Sequence, residues 1–170
     1  MAADPTYQPK TYRKQGGDIF VVASGGEIKV ESGGTINLES GAALQQDNKV
    51  AGVTYTVGAE AANIINLGIQ LTDGQGADIA AVAALSFYLS SDALGKDVEG
   101  TGPDTIAIGT DGSLYMSGGD SVIAGLMVSE ADGDIDIDIT KSGADTFYFC
   151  TILPDGSIDI SAAITFDATT

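Results

Sequence analysis

Between Gly16 and Leu44, short runs of alternating aliphatic and polar residues recur behind pairs of glycines. Ser24-Gly25-Gly26-Glu27-Ile28-Lys29-Val30-Glu31 is followed, at a period of eight, by Ser32-Gly33-Gly34-Thr35-Ile36-Asn37-Leu38-Glu39 and then by Ser40-Gly41-Ala42-Ala43-Leu44. A looser copy, Gly16-Gly17-Asp18-Ile19-Phe20-Val21, precedes them at a spacing of nine. Self-similarity of this kind marks a repeat architecture. The alternation sets Ile28 and Val30 against Glu27, Lys29 and Glu31, which predicts short strands with one dry face. The glycines permit sharp corners between them. Ile19, Val21, Ile28, Val30, Ile36, Leu38 and Leu44 are too few to offset the entropy of ordering the segment. Residues 16–47 are therefore predicted to form a β-helical or β-prism-like stem shared between three chains, with those aliphatics as its trimerisation surface. The alternative is a small meander folded back on the rest of the same chain.

After a polar joint at 48–52, the pattern changes to longer apolar segments separated by turn residues. Strands are predicted at Thr54–Val57, Asn63–Leu71, Ile79–Leu89, Thr105–Ile108, Ser113–Met116, Ser121–Val128, Asp134–Thr140, Thr146–Leu153 and Ser157–Phe166. Thr72-Asp73-Gly74, Thr110-Asp111-Gly112, Ser117-Gly118-Gly119-Asp120 and Pro154-Asp155-Gly156 punctuate them. Many short strands at regular spacing predict an all-β fold, with residues 53–170 an antiparallel β-sandwich. Ala80-Ala81-Val82-Ala83-Ala84 could start a helix, but it runs into the alternating Leu85-Ser86-Phe87-Tyr88-Leu89 and is read as strand. In Asp134-Ile135-Asp136-Ile137-Asp138-Ile139 the isoleucines are expected on the core and the aspartates outside. The stretch Ser157-Ile158-Asp159-Ile160 is expected to follow the same design. Rows of carboxylates also protect sheet edges from pairing with other chains.

Charge adds a second division. Twenty-four acidic against seven basic residues give a net charge of −17, which repels phosphate backbones and anionic lipid. Neither nucleic acid nor a membrane is expected as a partner. Residues 1–14 nevertheless hold Lys10, Arg13 and Lys14 against Asp4 alone. With Tyr7 and Tyr12 as packing anchors, and Pro5 and Pro9 opposing helix formation, residues 1–15 read as a basic arm suited to an acidic protein surface. The other reading is a terminus without a role. No apolar signal core or membrane-length run occurs in the chain, so a soluble protein made in the cytoplasm is expected.

Catalytic chemistry is sparse. The chain has no histidine, which removes Ser-His and Cys-His nucleophiles and the commonest zinc ligand. No nucleophile elbow, phosphate loop or dinucleotide fingerprint occurs. Asp132, Asp134 and Asp136 have the first spacings of a calcium loop, but Ile137 stands where that loop needs glycine and Gly143 where it needs glutamate. They are weak metal candidates. No metal, no cofactor and no enzymatic activity are expected. The one cysteine, Cys150, sits in an apolar run and is expected to be buried.

Tyr7-Gln8-Pro9-Lys10-Thr11-Tyr12-Arg13-Lys14-Gln15-Gly16-Gly17-Asp18, with Val21-Val22-Ala23-Ser24-Gly25-Gly26 and the repeats after it, resembles the N-terminal region of small proteins found beside major capsid genes in tailed bacteriophages and prophages. Ser129-Glu130-Ala131-Asp132-Gly133-Asp134-Ile135-Asp136, Ser142-Gly143-Ala144-Asp145-Thr146-Phe147-Tyr148 and Leu153-Pro154-Asp155-Gly156 are similar to the same group. The resemblance implies a head decoration, cement or head-fibre protein: a homotrimer on the outer capsid surface of the virion, bound to the major capsid protein, stabilising the shell without catalysis. The rival reading is a trimeric adhesion or receptor-binding module whose sandwich recognises a host glycan or surface protein.

Overall fold

The computed structural model describes residues 11–13, 20–23, 26–37, 49–116 and 122–168. The chain falls into two compact units, Met1–Leu44 and Gln45–Thr170. All strands pair antiparallel, and the described residues contain no helix.

In the first unit, β1 (Thr11–Arg13) and β2 (Phe20–Val22) form a two-stranded sheet in which Tyr12 faces Val21 along the ladder. The end of the basic segment is thus paired with the first, looser copy of the repeat. Beyond it, the Ser-Gly-Gly corner at 32–34 turns as its composition predicts. Gly33 takes a φ of +86°, and the Gly34 N–H donates to the Glu31 carbonyl at 2.8 Å. Residues 26–37 join no ladder among the described residues.

The second unit consists of two sheets around one core. The smaller has the order β3 (Gly52–Val57), β4 (Ile64–Thr72), β9 (Asp134–Thr140), β6 (Thr105–Ile108). The larger has the order β11 (Ile158–Ile160), β10 (Asp145–Ile152), β5 (Ala84–Ser90), β8 (Ala124–Val128), β7 (Ser113–Met116), with β12 (Ile164–Phe166) also paired to β10. Alternation decides what each strand buries. Ile65, Leu67, Ile69 and Leu71 of β4 and Ile135, Ile137 and Ile139 of β9 meet Leu85, Phe87, Leu89, Phe147 and Phe149 of the larger sheet in a single apolar cluster. The antiparallel sandwich-like arrangement expected of this region is present.

Two predicted strands are each broken, for a physical reason. Ile79 stays beside the smaller sheet, its N–H donating to the Leu71 carbonyl, whereas Ala84 begins β5 in the larger one. The crossing backbone between them is satisfied by Ser129, which accepts from the Ala83 N–H at 2.9 Å and donates to the Ala81 carbonyl at 2.8 Å. The second break is at Ser161, whose hydroxyl accepts from the Phe149 N–H at 2.9 Å and donates to the Ala162 carbonyl. That interruption separates β11 from β12 along their common neighbour β10.

Candidate interaction surfaces

Tyr7, Lys10, Lys14, Ile19, Leu38 and Leu44 lie outside the described residues. Tyr12 and Arg13 belong to β1, and Val21 is half-buried in β2. In the repeat proper, Ile28 is 60%, Val30 43% and Ile36 64% exposed.

The smaller sheet presents the acidic face. Asp134, Asp136 and Asp138 alternate with buried isoleucines, as expected, and stand opposite Gln70, Gly68 and Asn66 of β4. Two of the three carboxylates have side-chain donors. Thr110 donates its hydroxyl to Asp136, and Asn66 Nδ2 donates to Asp138 Oδ1 at 3.0 Å. Asp132 lies in the turn before β9, where its Oδ1 accepts from the Asp134 N–H at 3.4 Å. Among the described residues, no three acidic, cysteine or histidine side chains are arranged to hold a metal ion.

Partial desolvation, then the neighbouring charges of Asp132, Asp136 and Asp111, pushes the Asp134 carboxyl above its ordinary value. A carboxyl raised on folding binds its proton more tightly in the folded state, so its charged form opposes folding above that pKa. The opposition fades as pH falls through the raised value into the ordinary carboxylate range. Asp134→Asn should therefore raise the melting temperature at pH 7, with the gain shrinking on acidification. A gain that grows at low pH would contradict this electrostatic account.

Asp159 corrects the sequence reading. It stands opposite Thr151, which is fully buried, so it lies on the core side of β11 and not on the solvent side. Its Oδ2 accepts the Val53 N–H at 2.9 Å, and its carbonyl accepts the Tyr55 hydroxyl at 3.0 Å. Tyr55 also donates to Thr151 Oγ1 at 2.7 Å. These bonds tie β3 of one sheet to β10 and β11 of the other, and burial drives the Tyr55 phenol well above its ordinary pKa. The network is structural: every polar group in it is partnered from within the fold. Cys150 is buried as expected, with its thiol pushed up mainly by desolvation.

The outer face of the larger sheet differs from the acidic one in kind. Register aligns Ile158, Ile152, Ser86, Leu126 and Tyr115 side by side across five strands. Each of the four large residues in this row is among the exposed hydrophobics of the chain. No sequence signal could have shown this row, because its members come together only through pairing between distant strands.

Compared with known proteins, the chain matches no family model and no curated sequence.

Proposed function

We propose that this chain is a structural decoration protein of a tailed-phage head, bound as a homotrimer to the outside of the major capsid shell and stabilising it without catalysis. The observation that carries the reading is the exposure of Ile28, Val30 and Ile36 in a period-eight repeat. Such a surface gains from copies of itself and gains nothing in isolation. The adjoining cations Lys10, Arg13 and Lys14 suit an acidic shell, and the acidic remainder suits the solvent side of a particle. The resemblance of the basic segment and of the Ser-Gly-Ala-Asp-Thr block to capsid-associated phage proteins points the same way.

Replacing Lys10, Arg13 and Lys14 together by alanine is expected to weaken binding to empty shells about tenfold or more at physiological salt, which corresponds to roughly 1.4 kcal/mol per decade. Co-sedimentation with purified shells measures it. Unchanged binding would remove the electrostatic contact from the proposal. Binding of the detached protein to host cells, without affinity for shells, would favour the adhesion module instead.

A further inference from the structure

We infer that the uncharged row Ile158, Ile152, Ser86, Leu126, Tyr115 on the outer face of the larger sheet, beside the 92–95 loop that covers Tyr88 and Cys150, is where the sandwich units of assembled copies meet, its occupant being a second copy of this chain. This rests on the homotrimer reading and adds the contact surface to it.

The distribution of charge selects the face. Residues 45–170 hold 19 acidic against 3 basic residues, a net −16. None of these charges falls on the exposed row Ile158, Ile152, Ser86, Leu126, Tyr115, nor on the row beside it, Ala84, Val128 and Ser113. The opposite face carries the row Asp134, Asp136, Asp138. A second copy is itself strongly acidic, so meeting through the aspartate face would set carboxylates against carboxylates, at a cost of several kcal/mol. A basic partner would favour that aspartate face. The bare face fits an acidic protein that must come close without burying a carboxylate, and the other copies in the assembly are such proteins.

Size points to the same occupant. With strands about 4.8 Å apart and same-face residues about 6.7 Å apart, the uncharged patch covers roughly 260 Å². A free-standing specific complex buries about 800 Å² per partner. The face is too small to recruit a partner from dilute solution. It is adequate for units already linked through the repeat, where the effective concentration is on the order of millimolar. Three such faces turned toward one axis also remove Leu126 and Ile152 from water.

The test uses full-length protein and its mass by light scattering across a dilution series. Leu126→Asp combined with Ile152→Asp should shift dissociation of the trimer to at least about tenfold higher concentration, and Tyr115→Ser should shift it in the same direction. Thr54→Lys, on the outward side of β3, should leave it unchanged. Tyr115 is 62% exposed, so its variant keeps the fold, and circular dichroism verifies this for both. A trimer whose dissociation moves in neither variant overturns the assigned face while leaving the trimer intact. Parent protein that is monomeric at every concentration overturns both. Unchanged trimer mass with loss of shell binding assigns the face to the shell and also overturns the inference.

Discussion

Phe149→Ala is expected to remove about 3–5 kcal/mol of stability, the range for deleting a large buried aromatic. Phe149 is fully buried on β10, stacked on Phe87 with ring centroids 4.8 Å apart and an interplanar angle of 16°. On its other side it meets the edge of Tyr55 at 6.3 Å. Tyr55 belongs to the smaller sheet and Phe149 to the larger, so this ring holds the two sheets in contact. Its loss opens a cavity between layers that are also tied by the Tyr55, Thr151 and Asp159 hydrogen bonds. Those bonds restrain the layers from closing over the void, which places the cost toward the upper end of the range. Domains of this size are stable by only about 5–15 kcal/mol, so a large fraction of the total is at stake. At about 3 °C per kcal/mol the melting temperature should fall by roughly 10–15 °C. Guanidinium unfolding should show a lower midpoint with an unchanged slope. A loss below about 1 kcal/mol would mean that the rings do not pack as described.

How much of this was legible in the chain depends on whether the signal was local. The Asp-Ile alternation of β9 predicted its inner and outer faces correctly, because seven residues of strict period two leave one way to bury three isoleucines. Asp111-Gly112 and Pro154-Asp155-Gly156 turn where their composition predicts, with Gly112 at φ +92° and Gly156 at +85°. The turn at Ala62-Asn63 carries no glycine, yet both residues have positive φ, and Ala61 and Ile64 exchange backbone hydrogen bonds across it. Asn63 tolerates that backbone, but Ala62 gives no signal of the two-residue turn it helps to make. β11 has only three residues, so alternation identifies which of them share a face without saying which face is inner. Asp159 was turned inward by Val53 and Tyr55, more than a hundred residues away along the chain. The breaks at 80–83 and Ser161 likewise depend on serine hydroxyls serving backbone from another strand. The candidate surfaces divide in the same way. The repeat aliphatics could be read directly, whereas the apolar row of the larger sheet exists only after five strands have paired.

Gly133→Ala is expected to cost about 2–5 kcal/mol, combining roughly 1–2 for a left-handed backbone with about 1–3 for overpacking. The residue sits in Asp132-Gly133-Asp134, where spacing alone suggested a fragment of a calcium loop, and its role is steric. Gly133 has a φ of +88°, and a Cβ built on it would fall 2.0 Å from the Ile79 carbonyl oxygen and 2.9 Å from Gln70 Nε2. The Ile79 carbonyl is backbone and cannot yield cheaply. The Gly133 carbonyl accepts the Leu71 N–H and the Leu71 carbonyl accepts the Ile79 N–H, each at 3.0 Å. Gln70 Nε2 is aimed at the carbonyls of Leu71, Ile79 and Asp132. A methyl group here must push apart backbone that holds the end of β4 against the start of β9. Gly156 supplies the comparison, having the same left-handed backbone with no atom within 4 Å of its added Cβ. Gly156→Ala should show the conformational cost alone, about 1–2 kcal/mol. Denaturant unfolding of the two variants thus separates strain from contact. Equal losses would show that the close approach to Ile79 is absent, whereas a clearly larger loss at Gly133 makes this crossing a point where the fold tolerates glycine and no other residue.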